Sequence, residues 1–488
     1  MPIFYSALLL TGVNLLLRTV STSFQVYLSG QIGPSGIGLL QLVLSVGSLA
    51  MTAGMAGVRT GTMYLTAEEL GRKRPQNVIW VLSASTAYSI LFSITVCLAL
   101  YFGAPFLAAR WIGDPQVTGA VRLYAGFIPV YCLCGVMTGY FTAANRIGAL
   151  AAVEVAEQLL SMAVTVTLLR TWAAGDPARS CEAVILGGGV SAGMTLAVLV
   201  ILRLVEHSPT GKRIPVARRL TQVALPLALA DDLKVGINTT ENLMVPKRLS
   251  LYPGERDPMA AFGTVCGMVF PVLMFPAAIL FGLAELLIPE LARCAAAGSK
   301  QRIRYLTKRS LRLAMLYGCV MGGGMFLLAE PLCMKLYANA AAGRWLRQYA
   351  LLVPMLYCDA ITDAMTKGLG QQKACVRYNI TTSAMDVVFL FLLLPKYGMQ
   401  GYFWSFLLTH AVNFGLSLRR LLKTAGISIR PVVPVLTLIA TVLAVLLSSR
   451  LGIWSVAGYV ACLWALLTLF RVVGREDLRW LRGLVKKK

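Results

Sequence analysis

The sequence predicts an all-α polytopic membrane protein of about fourteen transmembrane helices. They form two six-helix lobes in a parallel pseudo-twofold repeat, followed by two extra C-terminal helices. Three observations predict this class. Of 488 residues, 57% are hydrophobic and only 14% charged, with a mean hydropathy of +0.71, which leaves too little polar surface for a soluble domain. Apolar stretches of membrane-spanning length recur from Leu8 to Phe470, separated by short polar gaps. Every second gap is rich in Lys and Arg: Arg72, Lys73 and Arg74; then Lys212, Arg213, Arg218 and Arg219; then Lys300, Arg302, Arg304, Lys308, Arg309 and Arg312; and finally Lys486, Lys487 and Lys488. About 30 of the 45 basic residues fall on this side and about 12 on the other, so both termini are expected in the cytoplasm.

At roughly 20 apolar residues per span, the first six spans are expected at 4–29, 36–66, 78–103, 118–145, 149–171 and 182–205. The next six follow at 220–247, 259–291, 310–333, 347–370, 374–394 and 399–422, and the last two at 431–448 and 453–471. Spans longer than the bilayer requires imply tilt or extension past the headgroups. Pro129, Pro226, Pro271, Pro276 and Pro354 predict kinks, because proline removes a helix hydrogen bond and crowds the preceding turn.

The repeat is visible in the letters. Val121-Arg-Leu-Tyr-Ala-Gly-Phe-Ile-Pro129 matches Leu346-Arg-Gln-Tyr-Ala-Leu-Leu-Val-Pro354 at a shift of 225 residues, and the same shift places Gly38 on Gly263. Six spans, an even number, separate the copies, so both copies run the same way through the membrane; such parallel repeats are an architecture of alternating-access transporters. The expected division is an N-lobe at 1–205, a basic cytoplasmic linker at 206–219 and a C-lobe at 220–424. The extra helices at 425–471 and a basic tail at 472–488 follow.

The formal charge of +24 does not point to nucleic acid: the basic residues flank spans, where anionic lipid headgroups account for them. The tail alternates Leu, Trp and Val with basic residues, as an interfacial helix does. The eleven cysteines lie mostly in apolar stretches without metal-ligand spacing and read as small hydrophobes. Met1–Leu10 lacks a basic n-region and its apolar run continues into the first span, so no cleaved leader is expected. An enzyme is not expected either. Only His207 and His410 are present, the extramembrane acids are scattered, and Gly187–Gly189 and Gly322–Gly324 sit within apolar spans, where they suit close helix packing.

Local motifs add a family resemblance. Asn14-Leu-Leu-Leu-Arg18 leads into Tyr27-Leu-Ser-Gly-Gln-Ile-Gly33 and Gly36-Ile-Gly-Leu-Leu-Gln-Leu42. Gly139-Tyr-Phe-Thr-Ala-Ala-Asn-Arg146 precedes Val155-Ala-Glu-Gln158; Val245-Pro-Lys-Arg-Leu249 and Pro395-Lys-Tyr-Gly-Met-Gln-Gly401 follow. With the repeat and the extra helix pair, these motifs resemble the multidrug/oligosaccharidyl-lipid/polysaccharide exporter superfamily. Within it they resemble most the stage V sporulation protein B and polysaccharide-biosynthesis flippases, relatives of the lipid II flippases. The resemblance implies a monomeric flippase of the bacterial cytoplasmic membrane for a polyprenyl-pyrophosphate-linked glycan, used in peptidoglycan or spore-wall synthesis. It implies no cofactor beyond a possible Na⁺ or H⁺ coupling ion. A multidrug cation/H⁺ or Na⁺ antiporter of the same superfamily is the alternative.

Three basic residues fall inside predicted spans: Arg18, Arg59 and Lys234. A charge at mid-bilayer costs about 2.5–3.5 kcal/mol on insertion scales, so each needs a cavity, a partner or a substrate. Arg18 shares a polar stripe with Asn14, Thr22 and Gln25, and Arg59 continues a stripe from Gln41 through Ser45, Ser48 and Thr52. Guanidinium forks suit a lipid pyrophosphate; the bland alternative pairs Arg18 or Arg59 with a buried carboxylate, or lets the Arg59 side chain snorkel to an interface. In span 7, Asp231, Lys234, Asn238 and Glu241 recur on one helix face, either as internal ion pairing or as substrate and ion contacts. The candidate substrate contacts are therefore Arg18, Arg59, Lys234, Asn14, Gln25 and Glu241, and the candidate ion-coupling residues are Asp231, Asp232, Asn238 and Asp386. The lipid II flippase resemblance implies a sodium site between spans 7, 11 and 12. Glu154 and Glu157 lie three apart near the expected cytoplasmic end of span 5 and read as headgroup or interhelix contacts rather than coupling residues; Asp363 and Lys367 suit an internal i,i+4 pair beside Asp359.

Overall fold

The computed structural model describes residues 2–173, 175–205, 216–428, 432–450 and 455–470, with side chains at 2–11, 13, 14, 147, 227 and 230 outside the described set. Most of the expected linker and the whole expected basic tail thus lie outside the described residues. The described chain is helical almost throughout and holds no strand.

The helices follow the predicted spans, with departures that have local causes. Helix α1 (Pro2–Met55) runs through spans 1 and 2 with one break at Gly33 (φ 70°, ψ 175°). Pro34 begins the second segment, where its missing N–H costs nothing. A second left-handed step at Ala56 and Gly57 separates α1 from α2 (Val58–Gly71). Helices α3 (Val78–Phe106), α4 (Thr118–Ala143), α5 (Ile147–Leu168), α6 (Pro177–Val205) and α7 (Ala217–Leu249) complete spans 3 to 7. Span 8 is the most broken: α8 (Pro258–Gly263), a π-helical stretch at 264–269, α9 (Phe270–Met274), and α10 (Ala277–Ala296) set at 62°. The sharp bend falls at Phe275–Pro276, one of the predicted proline kinks.

Helix α11 (Lys300–Tyr337) starts ten residues before the predicted span, so the basic run Lys300–Arg309 is helical rather than a loop. At about 1.5 Å per residue it is longer than any bilayer core. Span 10 divides at Leu351–Leu352 into α12 (Ala340–Ala350) and α13 (Val353–Gly368); α14 (Gln372–Tyr397), α15 (Met399–Ala425), α16 (Val432–Ser448) and α17 (Ser455–Leu469) follow. Pro129 and Pro226 instead sit inside unbroken α4 and α7. Seven described helical stretches, or eight with the bent pair, are long and apolar enough to cross a membrane. Helix α7 is not among them because it carries Asp231, Asp232, Lys234 and Glu241 in its middle. The chain is a multi-pass membrane protein.

The 225-residue repeat is present in local geometry as well as in letters. Lys73, Gly113 and Asn145 adopt left-handed backbone, and so do Gly298, Ala338 and Gly370, their counterparts at that shift. Asp114 caps the turn before α4 by accepting from Gln116 N at 2.9 Å, and its counterpart Asn339 caps α12 by accepting from Ala342 N at 3.1 Å. Arg122 stacks on Tyr101 at 5.2 Å, and Arg347 stacks on Phe326 at 5.3 Å, again the same pair moved by 225. A turn, a cap and a cation–π pair conserved between halves identify a duplicated six-helix unit.

Packing does not follow the repeat boundary. One compact unit comprises Met1–Gly267 with Asp386–Tyr402, and the remaining described chain forms the other. Helices α7 and α8, members of the second repeat, pack on α1 and α2. Thr239 donates to Ser45 O at 3.1 Å and Asn242 Nδ2 to Ser45 Oγ at 2.9 Å. Gly57 lets α2 meet α7 directly: a Cβ there would lie 2.3 Å from Ala224 O. At the cytoplasm-assigned ends Arg219 bonds Glu68 at 2.6 Å and approaches Glu69 at 3.5 Å.

The extra helices α16 and α17 pack on α11 in the second unit. Fully buried Tyr459 donates to Cys319 O at 2.7 Å while its ring covers Gly323. Tyr459→Phe keeps the ring and deletes that bond, so a loss of about 1 kcal/mol is expected. A drop of a few degrees in thermal unfolding, reading unfolding in detergent, checks it.

Candidate functional site

Arg59 is rooted by close helix packing. It begins α2 just after Gly57, and its carbonyl abuts α4, where a Cβ on Gly139 would come within 2.5 Å. Its side chain is exposed, and Glu154 on α5 is an electrostatic neighbour beyond ion-pair distance. Arg18 sits half-buried on α1 in the same unit. Among the described residues no carboxylate lies within ion-pair distance of Arg59 or Lys234. The expected alternative of a tight Arg59–carboxylate or Asp231–Lys234 pair is thus not what the fold builds.

The two polar stripes are largely consumed by the fold. Gln25 donates to Gly267 O at 3.2 Å, a carbonyl within the π-helical stretch of span 8. Ser45, Ser48 and Thr52 return their hydroxyls to their own helix, to Gln41, Ser45 and Ser48 carbonyls at 2.7–2.9 Å. Ser45 also accepts from α7, so this stripe joins helices rather than lining open water. Gln25, expected as a substrate contact, thus ties α1 to the backbone of span 8. The Asn14 side chain lies outside the described set.

On α7 the expected face separates into two regions. Asp231, Lys234 and Asn238 are exposed, with Asp232 half-buried beside Asp231. Glu241, ten residues further along, is an electrostatic neighbour of Asp386 on α14, and its Oε1 is buried without a hydrogen-bond partner. Two carboxylates from separate helices thus share one neighbourhood. A bound cation or a proton neutralises such a pair.

Two further clusters escaped the sequence reading. Glu157 on α5 is hydrogen-bonded to buried Thr195 on α6, close to Tyr131 and Cys134 of α4. In the second unit, Asp359 on α13 accepts from Asn413 Nδ2 on α15 at 3.2 and 3.4 Å, while Asp363 pairs with Lys367 at 2.6 Å as expected. In both cases the carboxylate was visible in the sequence and its partner on a distant helix was not. The described residues hold no group of three or more His, Cys, Asp or Glu arranged to bind a metal.

Comparison with known proteins shows what the chain is similar to. The MatE family model matches residues 11–167. Stage V sporulation protein B of Bacillus subtilis (strain 168) is 21% identical over 508 aligned positions, covering 97% of this chain and 96% of the relative. Solved structures share the fold. Lipid II flippase MurJ, in an inward closed conformation, superposes with a TM-score of 0.68 at 11% identity, covering 98% of this chain and all of MurJ. An inward-facing multidrug resistance MATE family transporter of the superfamily also reaches 0.68, at 14% identity, covering 86% of this chain and all of that one.

Proposed function

We propose that the protein is an alternating-access flippase that carries a polyprenyl-pyrophosphate-linked glycan across the bacterial cytoplasmic membrane. The observation that carries this reading is the presence of mid-span cations, Arg59 and Lys234, that have no carboxylate at ion-pair distance among the described residues. An anionic headgroup passing through the interior supplies the missing counter-charge. The near-complete overlap with stage V sporulation protein B and with a lipid II flippase supports the same cargo class. In this reading Arg18, Arg59 and Lys234 hold the pyrophosphate while the lipid tail stays in the bilayer. Glu241 and Asp386 bind the coupling ion, Na⁺ or H⁺, and Asp231, Asp232 and Asn238 stand at its approach. The working halves are 1–205 and 220–424, both termini are cytoplasmic, the chain acts as a monomer, and its basic segments rest on anionic lipid.

A multidrug antiporter is the second reading, and the Glu154 and Glu157 pair in the first unit is the observation that favours it, since organic cations need acidic partners. Native mass spectrometry of the protein purified in mild detergent separates the two. A co-purifying polyprenyl-pyrophosphate adduct, lost in Arg18→Ala/Arg59→Ala, is expected. Retention of ordinary phospholipids with no such adduct moves the assignment to the antiporter.

A further inference from the structure

The two copies of the repeat start their fifth helix alike and charge it oppositely. Helix α5 begins at Ile147 and α14 at Gln372, 225 residues apart, each two residues after a left-handed position, Asn145 and Gly370. In α5 the opening turns carry Gly148, Ala152, Glu154 and Glu157; in α14 the same positions hold Lys373, Arg377, Asn379 and Thr382. Two acids in one copy are thus answered by two cations in the other. The helix starts at the same point either way, so folding does not ask for Lys373 or Arg377.

Lys373 and Arg377 stand four residues apart, so one face of α14 carries both. With Gln372, Val376, Ile380 and Thr381 they line an open groove of about 460 Å³. Both cations are exposed, and among the described residues neither has a carboxylate within ion-pair distance. Polar groups close in sequence are already engaged: Asp363 pairs with Lys367 at 2.6 Å, and Gln371 Oε1 accepts from Arg420 Nε at 3.0 Å. Val376, which is 45% exposed, and Ile380 each follow a cation by three residues and add apolar surface to the same groove. The groove opens at the turn between spans 10 and 11, on the side that the charge asymmetry assigns to the cytoplasm. Charge stands toward the headgroups and Ile380 lies about 10 Å deeper along the helix, the order of head and tail in a lipid of the inner leaflet.

We propose that the Lys373–Arg377 groove is a loading site, which takes the pyrophosphate of a polyprenyl lipid in the cytoplasmic leaflet before that lipid enters the transport route. The inference rests on the flippase reading above and adds to it a site distinct from Arg18, Arg59 and Lys234. Charge selects the occupant: a pyrophosphate diester carries two negative charges and meets two cations, whereas an ordinary phospholipid phosphodiester carries one. Val376 and Ile380 take the first isoprene units. Because both cations are exposed, salt screens the hold and the lipid exchanges readily. Occupancy therefore follows lipid that is added, not lipid that survives purification.

The test locates added lipid on the full-length protein in phosphatidylcholine nanodiscs. The probe is a polyprenyl pyrophosphate with a diazirine on its first isoprene unit, and peptide mass spectrometry finds the label after photolysis. Label is expected within 372–381, falling at least about fivefold in Lys373→Gln/Arg377→Gln, since a basic residue near the membrane surface contributes about a factor of five to anionic-lipid attraction. Lys373→Arg/Arg377→Lys, which keeps both charges, is expected to restore it, and this swap separates lost charge from a misfolded helix. Arg18→Ala/Arg59→Ala is expected to leave the 372–381 label in place. Label at spans 1 and 2 but not at 372–381 overturns the loading site and leaves the flippase reading standing. Label at 372–381 that the glutamine variant does not reduce, or that disappears with Arg18 and Arg59, also overturns it. Phosphatidylglycerol that competes as well as unlabelled polyprenyl pyrophosphate does overturns the assignment to cargo and marks an ordinary phospholipid site.

Discussion

Replacing Arg18 and Arg59 together by alanine is expected to abolish translocation of the lipid-linked glycan while leaving insertion and folding intact. Losing one partner of a desolvated, hydrogen-bonded charge pair costs about 2–5 kcal/mol, so each single variant is expected to lower cargo affinity by about 30-fold or more. The measurement is fluorescent-lipid flipping in proteoliposomes, with thermal unfolding in parallel. Arg59→Lys is informative as well: it keeps the charge and loses the planar fork, so partial activity points to bidentate phosphate binding. If both alanine variants instead lose folded protein to the same degree as activity, Arg18 and Arg59 hold helices together and do not hold cargo.

The second large effect is expected at Glu241 and Asp386. Two carboxylates in one apolar neighbourhood repel unless a cation or a proton sits between them. Glu241→Gln and Asp386→Asn preserve shape and remove that demand, so flipping is expected to lose its response to an imposed Na⁺ or H⁺ gradient. Coupling free energies between sites are typically 1–3 kcal/mol, which makes the lost stimulation about 5- to 150-fold. Cargo adducts in native mass spectra are expected to persist. Asp231→Asn is the discriminating control, because Asp231 lies about 15 Å along α7 from Glu241. If Asp231→Asn alone removes the gradient response, the ion site belongs at that end of the helix.

Most of the fold was legible because bilayer physics writes it in coarse strokes. Span length, loop charge and the parallel repeat follow from hydropathy and Lys/Arg placement, and the repeat reappears in the Asp114 and Asn339 caps and the Arg122 and Arg347 stacks. What could not be read was which helices touch. Ser45 has no sequence signal for its bonds to Thr239 and Asn242, nor Gln25 for a carbonyl 242 residues away. For the same reason the candidate site was only half legible. The charged residues announced themselves by being in a membrane at all, whereas Glu157–Thr195 and Asp359–Asn413 each join two helices whose pairing periodicity cannot reveal. The extent of α11 was missed because a basic helix beyond the headgroups reads like a loop when hydropathy alone sets its boundaries.

The two prolines of the repeated motif have met different fates. Pro129 is embedded in continuous α4, where it removes a hydrogen bond from a helix that tolerates the loss. Pro354 stands at the second position of α13, just past the interruption at Leu351–Leu352, where no hydrogen bond is asked of it. Two halves that began as copies have thus diverged in helix continuity at a motif that keeps its Arg, Tyr, Ala and Pro. One copy is a continuous helix and the other is interrupted at 351–352, and an interrupted helix has fewer hydrogen bonds resisting a bend at that point. A duplicated transporter can acquire directionality in this way, through mechanical inequality between twins, before any difference in their chemistry arises.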